Sequence, residues 1–113
     1  RKKRSAIINL SSLAAVIPVP NEALYSASKA FCDYLSRSLA ICYPSLDIIS
    51  VKPGSVSSQM NNYRPTDQYT ISAKELVLSA LKNLGKTPET PGHFKHQFMT
   101  WKFVNFPCIY QVA

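Results

Sequence analysis

The sequence predicts an α/β fold, a parallel sheet with its crossover helices, of which this chain supplies about half. Three observations carry that prediction. Residues 5–10 (SAIINL) and 47–52 (DIISVK) are short runs rich in apolar and β-branched residues, the mark of strands buried on both faces of a parallel sheet. Each is followed by a segment with helical spacing, long enough to serve as a crossover. The first strand is apolar on both faces yet opens the chain, so it wants a neighbour on its other edge.

Taken in order, residues 13–23 hold Pro18 and Pro20 and read as a loop. From Leu24 to about Ile41, the apolar residues Leu24, Ala27, Phe31, Leu35, Leu39 and Ile41 recur at mostly helical intervals, with Pro44 helping to end the helix. The strand at 47–52 stops at Pro53-Gly54, and residues 55–70 are polar and read as a loop. Ser72-Ala-Lys-Glu75 is a capping box that opens a helix running to about Leu84. Residues 1–84 therefore form one α/β unit and 85–113 an aromatic-rich C-terminal extension. In that extension Phe94, Phe98 and Trp101 share a helical face, beside Lys102. A packed C-terminal helix is the simplest reading; the alternatives are a cover over a substrate pocket or a helix lying on a membrane.

A chain of 113 residues, 46% of them apolar, buries one core. Thirteen basic residues against 6 acidic give +7, but four of the basic groups are the opening Arg1-Lys2-Lys3-Arg4 and the others are spread thinly. No long basic stripe forms such as a nucleic-acid groove would need, so no nucleic-acid partner is expected. The opening run reads as a solvated loop before the first strand, with a localisation signal or membrane-surface anchor as alternatives. Cys32, Cys42 and Cys108 lie far apart without a CxxC pair, which argues against a disulfide scaffold or thiolate zinc site and fits a reducing compartment. No signal peptide opens the sequence, and no apolar run reaches the roughly 18 residues of a spanning helix. The first residue is not methionine, so the sequence reads as processed or as the back part of something longer.

The chemistry centres on YSASK, in which Tyr25 and Lys29 stand four apart and share one helix face. A tyrosine titrates near 10, too high for proton transfer at neutral pH; a fixed ammonium stabilises the phenolate and brings that value down. A hydroxyl at a strand end, such as Ser12, would hold the oxygen with which the tyrosine exchanges its proton. A YxxxK pair alone is commonly ring packing beside a snorkelling lysine. Placement separates the readings: Tyr25 begins its helix just beyond the first strand, Pro53-Gly54 closes the next strand at that same edge, and open α/β sheets bind ligands beyond the carboxyl ends of their strands.

Together NLSS (residues 9–12), YSASKAF beginning thirteen positions after Ser12, and VKPGSVSS (51–58) resemble the second half of a short-chain dehydrogenase/reductase, from about Ser5 to Leu84. The segment PVPNEALYSASKAF is most similar to the branch of 17-beta-hydroxysteroid dehydrogenases and very-long-chain 3-oxoacyl-CoA reductases. The resemblance implies the C-terminal half of a Rossmann-like doubly wound sheet. It implies Tyr25 as general acid-base, Lys29 as the cation that tunes it and binds the nicotinamide ribose, and Ser12 as the group positioning the substrate oxygen. Asn9 is read as structural. Pro53, Gly54 and Val56 would lie against the nicotinamide, with Ser58 where the family usually has threonine facing the cofactor. Residues 59–71 would cover the substrate.

The implied cofactor is NADP(H), with NAD(H) open, and the implied substrate an apolar acyl or steroid carbonyl or alcohol. Family members usually dimerise through the helix bearing the tyrosine and the one before it, so a homo-oligomer is expected. The implied location is intracellular, at the cytosolic face of the endoplasmic reticulum membrane. The departure is large. No glycine-rich phosphate turn, no residue choosing between the two cofactors, no Asn-Ala-Gly strand and no catalytic asparagine before the serine strand occur here, so this chain alone is expected to bind dinucleotide poorly.

Two readings follow: part of an oxidoreductase whose other half lies elsewhere, or a truncated homologue serving as a binding or scaffold subunit, with a partner chain covering residues 5–10. A membrane-surface or nucleic-acid binder has less behind it. His93 and His96 lack a nearby carboxylate or thiolate and are read as surface or packing residues. Asp33 and Glu75 are read as helix-surface residues without an acidic partner, and Cys32 as a small buried filler.

Overall fold

The computed structural model describes residues 3–106; readings that rest on Arg1, Lys2, Cys108 and Tyr110 lie outside the described residues. Along the chain come β1 (Ala6–Leu10), α1 (Ala23–Cys42), β2 (Asp47–Val51), β3 (Val56–Ser57), β4 (Ile71–Ser72), α2 (Ala73–Asn83), β5 (Glu89–Thr90) and α3 (Phe94–Asn105). The main sheet is parallel, in the order β1-β2-β5, and its register runs from Ala6 opposite Asp47 to Leu10 opposite Val51. This is the parallel α/β half-sheet the sequence predicts.

Three short elements add to that prediction. Val56–Ser57 pairs in parallel with Ile71–Ser72, drawing the ends of the polar 55–70 segment together. A 3-10 turn at Leu13–Ala15 interrupts the first loop. Thr90 continues the sheet beside Val51 from within the C-terminal extension.

The apolar core lies on one face of the sheet. Ile49, Val51, Ile71, Leu76 and Ala80 close it, and α2 is the covering helix. Its start is fixed as the sequence predicts: Ser72 Oγ accepts from the Glu75 amide and a Glu75 carboxylate oxygen accepts from the Ser72 amide.

On the opposite face α1 meets the sheet through polar side chains. Its buried residues are Ser26, Asp33 and Ser36. Ser26 Oγ accepts from the Val19 amide, Asn9 donates to Ser36 Oγ, and Ser50 donates to Asp33. Asp33 is thus no surface residue: at 4% exposure it takes its hydrogen bond inside, which makes burial affordable for a carboxylate. Leu24, Phe31 and Ile41, which marked the helix in the sequence, point outward at 89%, 69% and 81% exposure. Cys32 is half-buried.

Among the described residues no strand pairs with the outer edge of β1, and its Ile7, Ile8 and Leu10 are substantially exposed. In α3 the shared face of Phe94, Phe98 and Trp101 is exposed too, and the helix packs instead through fully buried His96. Among the described residues no helix is long and apolar enough to cross a membrane.

Candidate active site

The carboxyl ends of β1 and β2 are tied together just where the strands stop. The Ser11 amide bonds the Val51 carbonyl at 2.8 Å and the Leu13 amide bonds the Pro53 carbonyl at 2.9 Å. Beyond this tie opens a cavity of about 560 Å³. Ser12, Tyr25, Lys29, Pro53, Gly54, Val56 and Ser58, the seven residues singled out from the sequence, all line it. Around them the wall is apolar, with Ile8, Leu10, Leu76 and Val77, and Lys29 is the one charged side chain among the described lining residues.

Each group is held by its own element. Ser12 sits between β1 and the 3-10 turn, its Oγ accepting from the Ala14 amide at 3.1 Å. Tyr25 and Lys29 occupy the first turns of α1, with the Lys29 ammonium 5.7 Å from the centre of the Tyr25 ring. That ammonium donates to the Leu10 carbonyl at 3.1 Å, while the Lys29 carbonyl accepts from Ser11 Oγ at 2.7 Å. The lysine is therefore pinned to the end of β1 at both its head and its backbone.

Two residues the sequence reading passed over complete the wall. Ser11 is one, through the bond just described. Asn61 is the other: its Nδ2 donates to the Val56 carbonyl at 2.7 Å and its Oδ1 accepts from the Ser58 amide at 3.0 Å, which fixes the course of the backbone through both. The pattern Ser58-x-x-Asn61, a small polar pair three apart at a turn, is the signal available for it.

A second cavity of about 330 Å³ shares Ser12, Tyr25, Pro53, Gly54 and Ser55 with the first, so these residues form a partition between two spaces. Leu13, Ile17, Val19, Met99 and Phe103 make its far side apolar, with Glu22 at hand. Ser12, Tyr25 and Lys29 on the wall of one largely apolar cavity suit proton exchange with an oxygen of an apolar molecule.

This donor set fits the nicotinamide-ribose end of a dinucleotide: a cation, a phenol and a serine beside a Pro-Gly turn. The pyrophosphate end finds no glycine-rich turn in this sequence. Among the described residues no group of three His, Cys, Asp or Glu side chains gathers to hold a metal. His93 caps α3, its ring accepting from the Lys95 amide, and His96 is fully buried.

Fold and cavity together define an α/β protein carrying half of a Rossmann-like doubly wound sheet. The short chain dehydrogenase family model matches residues 1–69, and the chain belongs to that family. It is 37% identical over 108 residues to the very-long-chain 3-oxoacyl-CoA reductase of Anas platyrhynchos, covering 94% of this chain and 35% of that protein. With the 17-beta-hydroxysteroid dehydrogenase type 3 of Danio rerio it shares 38% over 101 residues, 88% of this chain and 33% of the other. These similarities place it in the branch that holds both. The chain spans about a third of the length of these relatives.

Among solved structures, a short chain dehydrogenase from Burkholderia cenocepacia J2315 in complex with NADP superposes with a TM-score of 0.75 at 25% identity, over 96% of this chain and 48% of that one. A 7beta-hydroxysteroid dehydrogenase gives 0.74 at 21%, over 88% and 42%, which supports the fold.

Proposed function

We propose that this chain supplies the proton-transfer half of an NADP(H)-dependent oxidoreductase that interconverts a ketone and an alcohol on an apolar acyl or steroid substrate. The observation that carries this reading is the convergence of Ser12, Tyr25 and Lys29 with Pro53, Gly54, Val56 and Ser58 around one cavity at the strand ends. Bound nicotinamide would supply or take the hydride. Tyr25 passes the proton to or from the substrate oxygen, Ser12 holds that oxygen, and Lys29 stabilises the phenolate and binds the ribose. Pro53, Gly54, Val56 and Ser58 form the wall for the nicotinamide ring. NAD(H) is the alternative cofactor, since this chain carries no residue that reads the ribose phosphate.

The open edge of β1 supports a neighbouring strand there, from the other half of the sheet or from a partner chain. The outward apolar residues of α1 suit a homo-oligomer, and the exposed Phe94, Phe98 and Trp101 suit contact with a membrane surface, at the cytosolic face of the endoplasmic reticulum. A non-catalytic binding or scaffold subunit is the second reading, favoured by the exposed Ile7, Ile8 and Leu10.

The deciding experiment compares Tyr25→Phe with wild type in the native polypeptide, following turnover and NADPH fluorescence. Removing only the proton-bearing oxygen should abolish turnover and leave NADPH affinity nearly unchanged. Lys29→Ala should damage both. Undiminished turnover in the Tyr25→Phe protein ends the catalytic reading, and a native polypeptide that binds no NADPH favours the scaffold.

A further inference from the structure

The imidazole of His96 lies wholly buried behind the cavity wall, reached from two separate segments of the chain. The Gly54 amide donates to Nδ1 at 3.1 Å. Nε2 stands 3.0 Å from the Ser55 carbonyl and 3.1 Å from the Tyr69 carbonyl. Carbonyls only accept and amides only donate, so the Gly54, Ser55 and Tyr69 contacts are satisfied together by one neutral state, bare at Nδ1 and protonated at Nε2, while the Pro91 backbone also pulls on the ring. The ring also packs close to Gly54, where a Cβ would come within 3.1 Å of Cδ2.

The contacts sit where two segments meet. Gly54 and Ser55 form the turn after β2, and Tyr69 closes the 59–71 segment just before β4. Ile71 donates to the Ser55 carbonyl at 3.2 Å and Thr70 to Ser55 Oγ at 3.0 Å, so His96 fastens a junction that already exists and ties α3 to it.

We propose that His96 is a positioning residue: as a neutral imidazole of fixed tautomer it sets the Gly54 backbone against the cofactor and locks the substrate-side segment at Tyr69 to that same turn. This rests on the reading of Pro53 and Gly54 as the nicotinamide wall. Protonation would set an Nδ1 proton against the Gly54 amide proton, donor against donor, and release the turn.

The titratable groups on the elements packed around it leave this behaviour to His96. His93, at the start of α3, has its ring 6.5 Å away, and its positive charge would oppose a second one on His96. On the 59–71 segment the Asp67 carboxylate is taken up by the Tyr69 and Thr70 amides, both at 2.7 Å, and the Tyr69 contact is through its backbone. Lys95 on α3 donates to the Asp67 carbonyl, and Glu75 at the start of α2 acts on His93 and Lys95. The turn itself carries no titratable side chain.

The test uses two isosteres in the native polypeptide. His96→Asn places an amide oxygen near Nδ1 and keeps an acceptor for Gly54; His96→Gln places an amide nitrogen near Nε2 and keeps only the donor. The Gln protein should lose NADPH affinity about three- to tenfold, the worth of one hydrogen bond, and the Asn protein by much less. As pH falls below the ordinary histidine value of 6.5 and through the lower value that burial gives His96, wild-type affinity should fall more steeply than that of the Asn protein. Equal losses in the two proteins, or identical pH profiles, would overturn the proposal and leave His96 a packing residue.

Nitrogen NMR of wild type covers the case in which a variant does not fold. Expected at pH 7.5 is a proton on Nε2 with Nδ1 bare; a proton on Nδ1 overturns the assignment. Run beside Tyr25→Phe, the outcomes separate: full turnover in the Phe protein sinks the catalytic reading, whereas equal Asn and Gln effects beside a dead Phe protein sink only this inference. A wild type that binds no NADPH sinks both.

Discussion

Ser50 Oγ on β2 donates a 2.7 Å hydrogen bond to Asp33 Oδ1 on α1, one helical turn beyond Lys29. The same carboxylate meets Lys52 Nζ at 3.4 Å and Arg37 Nε at 3.5 Å. Glu89 on β5 closes the group by pairing with both cations. Two carboxylates and two cations balance, so a charge-balanced network joins the helix bearing Tyr25 to the sheet.

Removing one member should therefore be costly. Asp33→Ala leaves the Ser50 hydroxyl without an acceptor and Lys52, whose side chain is 13% exposed, short of a counter-charge. A loss of about 3 kcal/mol is expected in urea unfolding, in the range for breaking a buried ion pair. A loss below about 1 kcal/mol would mean that the pair behaves like an exposed one.

Gly54→Ala tests the approach of His96 from the other side. The new methyl would press on a ring held by three backbone groups, so the ring or the turn must shift by a few tenths of an ångström. Overpacking of this kind costs about 1 to 3 kcal/mol. Thermal denaturation should show the loss, accompanied by weaker NADPH binding; an unchanged midpoint would show that the ring moves freely.

The sequence revealed most where local chemistry sufficed. Strand runs, the Ser72-Glu75 box and the strand-end position of Tyr25 are local patterns, and all stand as expected. The inner face of α1 was hidden, because apolar spacing locates a helix without saying which side meets the sheet. Asp33 looked like a surface residue until Ser50, from another element, came to satisfy it. β3, β4 and β5 have two residues each, too few to show a period. His96 was legible only as a packing residue, since its partners Gly54, Ser55 and Tyr69 are backbone groups that leave no side-chain signature.

The start of α2 offers a cleaner measurement. Ser72 Oγ accepts from the Glu75 amide at 3.2 Å in an exposed setting, so its loss removes a cap without opening a cavity. Ser72→Ala should cost about 1 kcal/mol in urea unfolding, and Ser72→Asp, which restores an acceptor, should recover most of it. Equal losses in both variants would show that the hydroxyl does something other than cap.

Stability should also depend on pH through His96. Burial holds its imidazole below the usual value of 6.5, against the pull of the Tyr69 and Ser55 carbonyls, so between the two values the unfolded chain binds a proton that the folded chain refuses. The unfolded state then binds more protons, and stability rises with pH across that window. The contribution is complete above about pH 6.5 and is lost as pH falls through the depressed folded value. The carboxylates act lower. Asp67 is held down chiefly by the Tyr69 amide, Glu75 by the Ser72 amide and Glu89 by Lys52, and their contributions, present above the ordinary values of 3.8 and 4.5, fade only as pH drops further. Urea midpoints at pH 7.5 and 5.5 compare conditions above and below the ordinary histidine value of 6.5 while leaving the carboxylates ionised. Wild type should be less stable at pH 5.5, and the difference should shrink in His96→Asn, which cannot titrate. A midpoint difference of the same size in both proteins would assign the effect to another group.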